Sequence, residues 1–288
     1  MKLKIAIVTD SNSGITKKEA LELGVFVLPM PFMIDEKEYY EDIDLNQDDF
    51  YEMLLGGADV VTSQPSPDSV IKLWDSILEE YDQIIHIPMS SGLSGACQTA
   101  IMLAEDYENK VYVVNNQRIS VTQRQSVLDA MLLADRGLSG EEIKNILEED
   151  KFNSSIYIMV GTLDYLKKGG RITPAVYTIG NLLKIKPILQ IQGEKLDAFA
   201  MARTISGGKQ TMIGAIKKDC EKRFKTSNPD DLHICVAHSH DEEAAKEFVE
   251  DIKKSFPGAS IYYAPLSLSV ACHIGPQSLA VTISKKLK

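Results

Sequence analysis

The sequence predicts an α/β protein with two domains, and the first of them contains a doubly wound, mostly parallel sheet. The chain has 288 residues, which is enough for two domains of ordinary size. In its first half, short apolar runs alternate with helix-like stretches, a pattern typical of parallel strands connected by helices. The strand-like runs are KIAIVT at 4–9, QIIHIP at 83–88 and VYVVN at 111–115.

The second half has a different pattern, which predicts a second α/β domain with antiparallel strands. The stretch KPILQIQGEKLDAFAMAR contains two short extended runs around Gly193, as expected for a β-hairpin. Long amphipathic helices are predicted at about 207–223 and 241–254, with the strand HICVAH between them. We therefore predict domains at 1–153 and 154–288.

The remaining elements follow from apolar periodicity and from helix start and stop signals. The segment VFVLPMPFMI at 25–34 is extended, and Pro29 and Pro31 restrict it to an edge or irregular position. In the segment 67–80, several apolar residues fall on one helical stripe, which predicts an amphipathic helix. Further helices are predicted at 17–23, up to about 106, at 121–136, at 139–149 and at 173–183, with a strand at 155–161.

Composition disfavours several classes of partner. The formal net charge is -10, so nucleic acid and anionic membrane surfaces, which attract basic proteins, are poor partners. No apolar stretch approaches the roughly 18 residues of a membrane span, and the start MKLKIAIVTD indicates a first strand rather than a signal segment. The four cysteines lie far apart without a C-x-x-C pair, which indicates buried, reduced thiols and a cytoplasmic protein.

The segment MSSGLSGACQTA, residues 89–100, follows a predicted strand and precedes a predicted helix. A polar loop at this position offers free backbone N–H groups at the positive end of a helix, where anions bind. Hydroxyl groups add neutral donors, and ligands of open α/β sheets lie at these carboxyl ends of strands. One serine suffices for a helix cap, and Ser90, Ser91 and Ser94 exceed that need. The residues alone leave an anion site and a plain cap equally open.

Two further segments carry polar groups suited to an anion. In TSQPSPD, residues 62–68, Ser66 caps a helix that Pro67 starts, so that Thr62 and Ser63 are not needed for the cap. In KKGGRI, residues 167–172, two glycines permit a tight turn that presents Arg171, whose forked donors suit a carboxylate or a phosphate. An ordinary helix end with a surface arginine accounts for KKGGRI equally well.

Several active-site patterns are absent or incomplete. The stretch around Ser94 misses the second glycine of a G-x-S-x-G nucleophile elbow by one position, and no phosphate-loop or dinucleotide-binding pattern occurs. His238 and His240 lie two residues apart, but no third metal ligand can be named, so we predict no metal site. His273 lies just before a Gly-Pro helix start, where a lone histidine is more often a satisfied polar residue than a functional one.

Taken in order, these segments resemble the DegV family of bacterial fatty acid-binding proteins. Some members serve as the acyl-presenting subunit, called FakB, of a two-component fatty acid kinase. The resemblance runs from about residue 3 to 285, and TSQPSP and KKGGRI are its most specific blocks. The segments that carry it are TDSNSGI, TSQPSPD, SSGLSGACQTA, TLDYLKKGGRI, IGNLLKIKPIL and HIGPQSLAV.

The resemblance implies two α/β domains with a long-chain fatty acid buried between them. It implies that Thr62 and Ser94 contact the carboxylate, with Ser63 and Ser91 close by. Arg171 and His273 match the positions that serve phosphoryl transfer or docking in kinase-subunit members. Asp10 and Ser11 match a further family block near the mouth of the site.

The expected function is therefore fatty acid binding in an interior tunnel, with presentation of the carboxylate to a separate kinase that makes acyl phosphate. The protein itself is not expected to be an enzyme or to need a cofactor besides the bound fatty acid. A serine esterase or small-anion transferase using Ser94, and a lipid-responsive interaction protein without a kinase, are the alternatives. The chain departs from common family residues at Ala96-Cys97, at Asn115-Asn116 and at Gln277.

Overall fold

The computed structural model describes residues 3–173, 176 and 185–287. The chain forms two compact units: Met1–Asn46 with Gly57–Lys151, and Gln47–Gly56 with Phe152–Lys288. The fold class predicted from the sequence, a parallel sheet followed by an antiparallel α/β part, is confirmed. The predicted helix at 173–183 lies outside the described residues, apart from Thr173 and Val176.

The first unit contains the predicted parallel sheet. Its four strands are all parallel and lie in the order β2-β1-β6-β7. This order is doubly wound, because the chain moves outward from β1 in one direction and then from β6 in the other. The strands are β1 (Ile5–Asp10), β2 (Phe26–Leu28), β6 (Gln83–Ile87) and β7 (Val111–Val113).

A small antiparallel sheet in the first unit corrects the prediction for 25–34. That segment divides into two strands, and only β2 lies at a sheet edge; β3 is the central strand of a second sheet with the order β4-β3-β5. Pro31 is tolerated because it is the first residue of its strand, where a missing N–H costs the ladder least. The strands are β3 (Pro31–Ile34), β4 (Lys37–Tyr40) and β5 (Val60–Thr62).

The helices of the first unit begin where the sequence carries caps. Ser66 accepts a hydrogen bond from the Ser69 N–H at the start of α3, and Ser139 forms a complete capping box with Glu142 at the start of α6. Trp74 lies on the apolar stripe of α3 and is fully buried. The helices are α1 (Lys17–Leu23), α3 (Pro67–Leu78), α4 (Ala96–Ala104), α5 (Val121–Asp135) and α6 (Gly140–Glu149), with 3₁₀ turns at Ser11–Ser13, Glu105–Tyr107 and Asp150–Phe152.

The second unit is built on a six-stranded mixed sheet with the order β10-β9-β8-β13-β11-β12. The hairpin predicted around Gly193 is present, with β9 and β10 antiparallel, and only β11 and β12 pair in parallel. The strands are β8 (Ser154–Met159), β9 (Lys186–Ile191), β10 (Leu196–Ala202), β11 (Leu232–His238), β12 (Ile261–Pro265) and β13 (Leu279–Lys285). The helices are α7 (Asp164–Lys168), α8 (Ile205–Asp219, continued by a π-helical turn at Cys220–Phe224), α9 (Glu242–Ser255) and α10 (Leu268–Ile274), with a 3₁₀ turn at Pro229–Asp231.

Helix α2 (Gln47–Leu55) belongs to the second compact unit, although the segments on either side of it belong to the first. The Gln47 side chain donates a hydrogen bond to the Leu266 carbonyl oxygen at 3.1 Å, and the Tyr51 ring lies 4.5 Å from the His240 ring. These partners belong to the C-terminal half, so α2 clusters with the second unit although its sequence position lies in the first.

None of the helices in the described ranges has the length and the apolar character that a membrane-spanning segment needs.

Arg118 anchors a buried ion cluster next to α5. Its guanidinium contacts the Asp150 carboxylate at 2.6 Å and lies 3.9 Å from Asp129, and all three side chains are buried. Burial raises the pKa of Asp129 to about 6, against the lowering effects of Gln125 and Arg118. Two carboxylates thus share one guanidinium in a buried position. The more distant of them, Asp129, has a negative charge that this guanidinium neutralises only in part.

Asp129→Asn is expected to stabilise the protein at pH 7 and to have little effect near pH 4. Because the folded-state pKa lies above the ordinary value of 3.8, the folded protein binds the extra proton between these values and loses stability as the pH rises through them. Asparagine keeps the oxygen that accepts from Gln125 and has no charge, so the gain at pH 7 is about 3 kcal/mol. Urea unfolding at both pH values checks this, with exposed Asp230→Asn as control. An equal effect at pH 4 and pH 7 would contradict it.

Candidate functional site

Polar loops meet at the carboxyl edge of the parallel sheet, between β1 and β6. These strands are direct neighbours, with Thr9 opposite Ile87, and they lie at the point where the strand order reverses. In open α/β sheets, the crevice outside this reversal is the usual place for a ligand. Asp10 is the last residue of β1 and Ser11 begins the 3₁₀ turn that follows it, and the loop after β6 contains Ser91 and Ser94.

The loop from Ser90 to Ser94, called here the serine loop, is organised around Ser90. The Ser90 N–H donates to the Arg118 carbonyl oxygen at 2.9 Å, and the Ser90 carbonyl oxygen accepts from the N–H groups of Leu93 and Ser94. Ser90 is fully buried, so it serves the loop itself. Ser91 is half-buried, and its hydroxyl has no hydrogen-bond partner within the described residues.

Ser94 precedes Gly95, the N-cap residue of α4, and its side chain makes a local hydrogen bond at the helix start. Its Oγ accepts a hydrogen bond from the Ala96 N–H at 3.2 Å, at the start of α4. The hydroxyl hydrogen then remains available for donation to a ligand. The next two N–H groups, of Cys97 and Gln98, have no acceptor in the described part of the chain and carry the positive end of the α4 dipole. Cys97 itself is buried, and burial raises the pKa of its thiol to about 12.

Thr62 and Ser63 lie on a second loop, which the structure brings to the serine loop. Thr62 ends β5, and the Ser63 N–H donates to the Pro31 carbonyl oxygen at 3.1 Å. The next residue, Gln64, reaches α4 and donates from Nε2 to Thr99 Oγ1 at 3.1 Å. The loop of TSQP is therefore joined by a hydrogen bond to α4, the helix that follows the serine loop.

Asp10 lies beneath the serine loop as a buried carboxylate. Its oxygens accept from the Met89 N–H at 2.7 Å, from the Asn12 N–H at 3.0 Å and from Gln123 Nε2 at 3.1 Å. Burial raises its pKa, and these three hydrogen bonds act in the opposite direction. The Met89 bond fixes the residue just before the serine loop, so Asp10 supports the loop from below. Ser11 Oγ accepts from the Met30 N–H and holds the neighbouring segment.

Gln123 contributes hydrogen bonds at this edge of the sheet, and the sequence analysis did not predict its role. Its Nε2 lies within hydrogen-bond distance of Thr9 Oγ1, Asp10 Oδ1 and the Ile87 carbonyl oxygen, so it joins the ends of β1 and β6. A sequence signal existed: Ser120 and Gln123 have the S-x-x-Q spacing of a capping box at the start of α5. In the structure the capping box does not form, because the Gln123 side chain is turned toward Asp10 and the Ser120 side chain makes no cap hydrogen bond.

Ser120→Gly is expected to raise the free energy of unfolding by about 1 kcal/mol. Ser120 has φ 57° and ψ -140°, a region that costs a non-glycine residue about 1–3 kcal/mol. Glycine avoids this cost, but it loses more conformational entropy on folding, which offsets part of the gain. Its Oγ is buried without a partner in the described ranges, so little is lost with it. Ser139→Gly, at a closed capping box with φ -73°, is the matched control and should destabilise slightly. Denaturant unfolding measures both, and a loss of stability in Ser120→Gly would disprove the strain.

In the second unit, the structure brings Arg171 and His273 together. A Cβ on Gly169 would overlap the His273 ring, so the first glycine of KKGGRI is required for this close approach. Arg171 is exposed and donates from Nη1 to the Gly169 carbonyl oxygen at 2.6 Å. Burial, with the positive charge of Arg171, lowers the pKa of His273 to about 4, so the imidazole is neutral at pH 7.

Groups for hydrolytic or metal chemistry do not assemble around Ser94. His86, on β6, has its pKa lowered to about 3 by burial, and neither ring nitrogen has a hydrogen-bond partner in the described part of the chain. Ser94 Oγ contacts the Ala96 N–H and has no base as partner among the described residues. In the same residues, no cluster of three or more His, Cys, Asp or Glu side chains is arranged to hold a metal ion.

The fold and this edge define a two-unit α/β protein with hydroxyl-rich loops at the reversal point of its parallel sheet. A family model described as "Uncharacterised protein, DegV family" matches residues 4–286, so the chain belongs to the DegV family. DegV of Bacillus subtilis is 29% identical over 282 residues, covering 97% of this chain and 98% of that protein. A DegV domain-containing protein of Listeria innocua is 30% identical and covers 99% of this chain and 100% of its own.

Two solved structures are similar along the whole chain. A fatty acid-binding DegV family protein of Thermus thermophilus has a TM-score of 0.90 and 27% identity, covering 99% of this chain and 100% of its own. DegV of Bacillus subtilis, a fatty acid-binding protein, has a TM-score of 0.87 and 29% identity with the same coverage. The family resemblance seen in the sequence is thereby confirmed.

Proposed function

We propose that this protein binds a long-chain fatty acid, holds its carboxylate with hydroxyl groups of two loops, and presents it to a separate kinase for conversion to acyl phosphate. The observation that supports the proposal is the hydrogen bond from Gln64, in the loop of TSQP, to Thr99 on α4, the helix that follows the serine loop. Thr62, Ser63, Ser91 and Ser94 supply the hydroxyl groups.

A carboxylate withdrawn from water must be hydrogen-bonded, or its burial costs several kcal/mol. Ser91 and Ser94 have hydroxyl hydrogens that can be donated, and the Cys97 and Gln98 N–H groups add the positive end of a helix. These donors are neutral, which suits a ligand that has to be handed on, since a buried arginine pair would hold the anion more tightly.

The acyl tail supplies most of the affinity in this proposal. Each methylene group moved from water into an apolar interior contributes about 0.8 kcal/mol. We place the tail in an interior tunnel lined by apolar side chains. The relatives of Thermus thermophilus and Bacillus subtilis, which share the fold along the whole chain, are fatty acid-binding proteins and support this ligand class.

In this proposal the protein is a cytoplasmic, non-catalytic subunit of the kinase and not a hydrolase. Serine hydrolysis needs a base within hydrogen-bond reach of the nucleophile. The partner of Ser94 Oγ is a backbone N–H, and the raised pKa of Cys97 keeps its thiol protonated at pH 7. The covalent step therefore belongs to the kinase, and this chain binds and orients the carboxylate.

Arg171→Ala and His273→Ala are expected to abolish acyl phosphate formation with the kinase while fatty acid affinity stays within about twofold. An exposed arginine beside a neutral imidazole can bind a phosphate or a partner surface, and neither side chain is among the proposed carboxylate donors. Phosphorylation assays with the kinase subunit and separate binding assays measure the two effects. Arg203→Ala, at another exposed arginine, is the matched control. Equal loss of binding and phosphorylation would refute this separation of roles.

The test of the proposed function is organic extraction of the purified protein followed by mass spectrometry. We expect about one fatty acid per chain, and delipidated protein should take up added fatty acid. Protein that contains no fatty acid in repeated preparations and takes up none when it is added would contradict the proposal. Loading without phosphorylation by any fatty acid kinase would instead identify a lipid-responsive protein that works without one.

A further inference from the structure

The Gln64 side chain connects the loop of TSQP to α4, the helix that follows the serine loop. Its Nε2 donates to Thr99 Oγ1 at 3.1 Å, and the Thr99 hydroxyl lies 3.4 Å from Gln64 Oε1. Thr99 is on α4, and its N–H donates to the Gly95 carbonyl oxygen at 3.0 Å. One amide side chain thus connects the residue after Ser63 to the helix turn that follows Ser94.

Gly95 leaves the space that this connection occupies. Its φ is -70°, an ordinary value for any residue, so its backbone conformation does not explain the glycine. A Cβ at this position would lie 2.9 Å from Gln64 Oε1, closer than real contacts of this kind. A side chain at position 95 would therefore make the Gln64 amide shift, which couples this position to the hydrogen bond between Gln64 and Thr99.

We propose that Gln64 is a positioning residue for the ligand carboxylate. By joining its own loop to α4, it fixes Thr62 and Ser63 relative to Ser94, so that both loops donate to one carboxylate without being ordered by the ligand. Immobilising such groups at the moment of binding would cost affinity, and prior ordering removes that cost. This inference rests on the proposed function, because it concerns the geometry of the same carboxylate site.

Gln64→Ala is expected to weaken fatty acid binding about tenfold, although Gln64 is not among the carboxylate donors, because the two loops lose their fixed spacing. Thr99→Val, which removes the hydroxyl, should give a similar loss, and Thr99→Ser, which keeps it, should bind like the parent. This matched pair distinguishes the hydrogen bond from the packing of the side chain.

The decisive experiment is a double-mutant cycle between Gly95→Ala and Gln64→Ala, with cis-parinaric acid as the fluorescent fatty acid probe. Gly95→Ala alone should weaken binding about tenfold by displacing the amide, and in the Gln64→Ala background it should have no further effect. A second cycle with Ser94→Ala should show the same lack of additivity, because Gln64 acts through the donor spacing.

Independent, additive losses in both cycles, or unchanged binding in Gln64→Ala, would overturn the positioning role. Failure of the parent protein to bind the probe or any extracted fatty acid would instead overturn the proposed function, so the two failures can be told apart. Thermal unfolding of each variant checks folding, and Thr99→Ser provides a folded reference if Thr99→Val is unstable.

Discussion

Replacing Thr62 and Ser94 together by alanine is expected to weaken fatty acid binding at least a hundredfold. A hydrogen bond to a charged group contributes about 1.5–3 kcal/mol, and each 1.4 kcal/mol is a factor of ten in the dissociation constant. The loss is large because the carboxylate keeps its charge in the site while two of its neutral donors disappear. Each single variant should lose about tenfold or more by the same reasoning.

Titration of delipidated protein with cis-parinaric acid measures this loss. Ser76→Ala is the matched control, because its hydroxyl donates within α3 to the Leu73 carbonyl oxygen and is exposed. The thermal stability of the double variant should fall only modestly, since the hydrogen bond that Ser94 loses, from the Ala96 N–H, is a local one. A double variant that binds as tightly as the parent would show that the carboxylate lies elsewhere.

Asp10→Ala is expected to lower the free energy of unfolding by about 2–4 kcal/mol and to weaken ligand binding as well. Removing the carboxylate leaves the Met89 N–H and the Asn12 N–H without their acceptor in a fully buried position, whereas the Gln123 amide keeps the Ile87 carbonyl oxygen. Each buried donor left unpaired costs about 1–3 kcal/mol, and relaxation recovers part of the sum. Binding suffers because the Met89 bond fixes the start of the serine loop.

Asp10→Asn is a sharper test of the same arrangement. The two side chains have nearly the same shape, but the asparagine amide must turn N–H groups toward a site that contains only donors. We therefore expect it to destabilise nearly as much as alanine, measured by denaturant unfolding at pH 7. Asp106→Ala, at an exposed carboxylate, should stay within about 0.5 kcal/mol of the parent. Parent-like stability of Asp10→Asn would mean that the negative charge and its hydrogen-bond donors are unimportant.

The capping signals illustrate how far local sequence reasoning reaches. Ser66 and Pro67 start α3 as predicted, because a cap involves residues within one turn of each other. Ser120 and Gln123 have an equally good local signal, and here it is overridden. The buried carboxylate of Asp10, more than a hundred residues away, takes the Gln123 amide. A local pattern cannot show that a distant group competes for the same donor.

The candidate site divides in the same way. Thr62, Ser63, Ser91 and Ser94 could be named from the sequence, since hydroxyl groups in excess of a cap stand out locally and match family blocks. Their assignment to the carboxylate remains a prediction. What joins their loops, the contact of Gln64 with Thr99, depends on packing between segments 35 residues apart. His273 likewise reaches the KKGGRI turn only through its close approach to Gly169, more than a hundred residues away in the sequence.

The sequence by itself determined the fold class, the hairpin in the second half, the family and the polar loops, because apolar periodicity and turn residues record local burial. The tertiary structure decided three other features: α2 clusters with the second unit, Gln123 leaves its capping box, and Gln64 fits against Gly95. The physical reason is that these features depend on contacts between residues distant in the chain. Such contacts form only where the packed elements bring a donor, an acceptor and the space for them together.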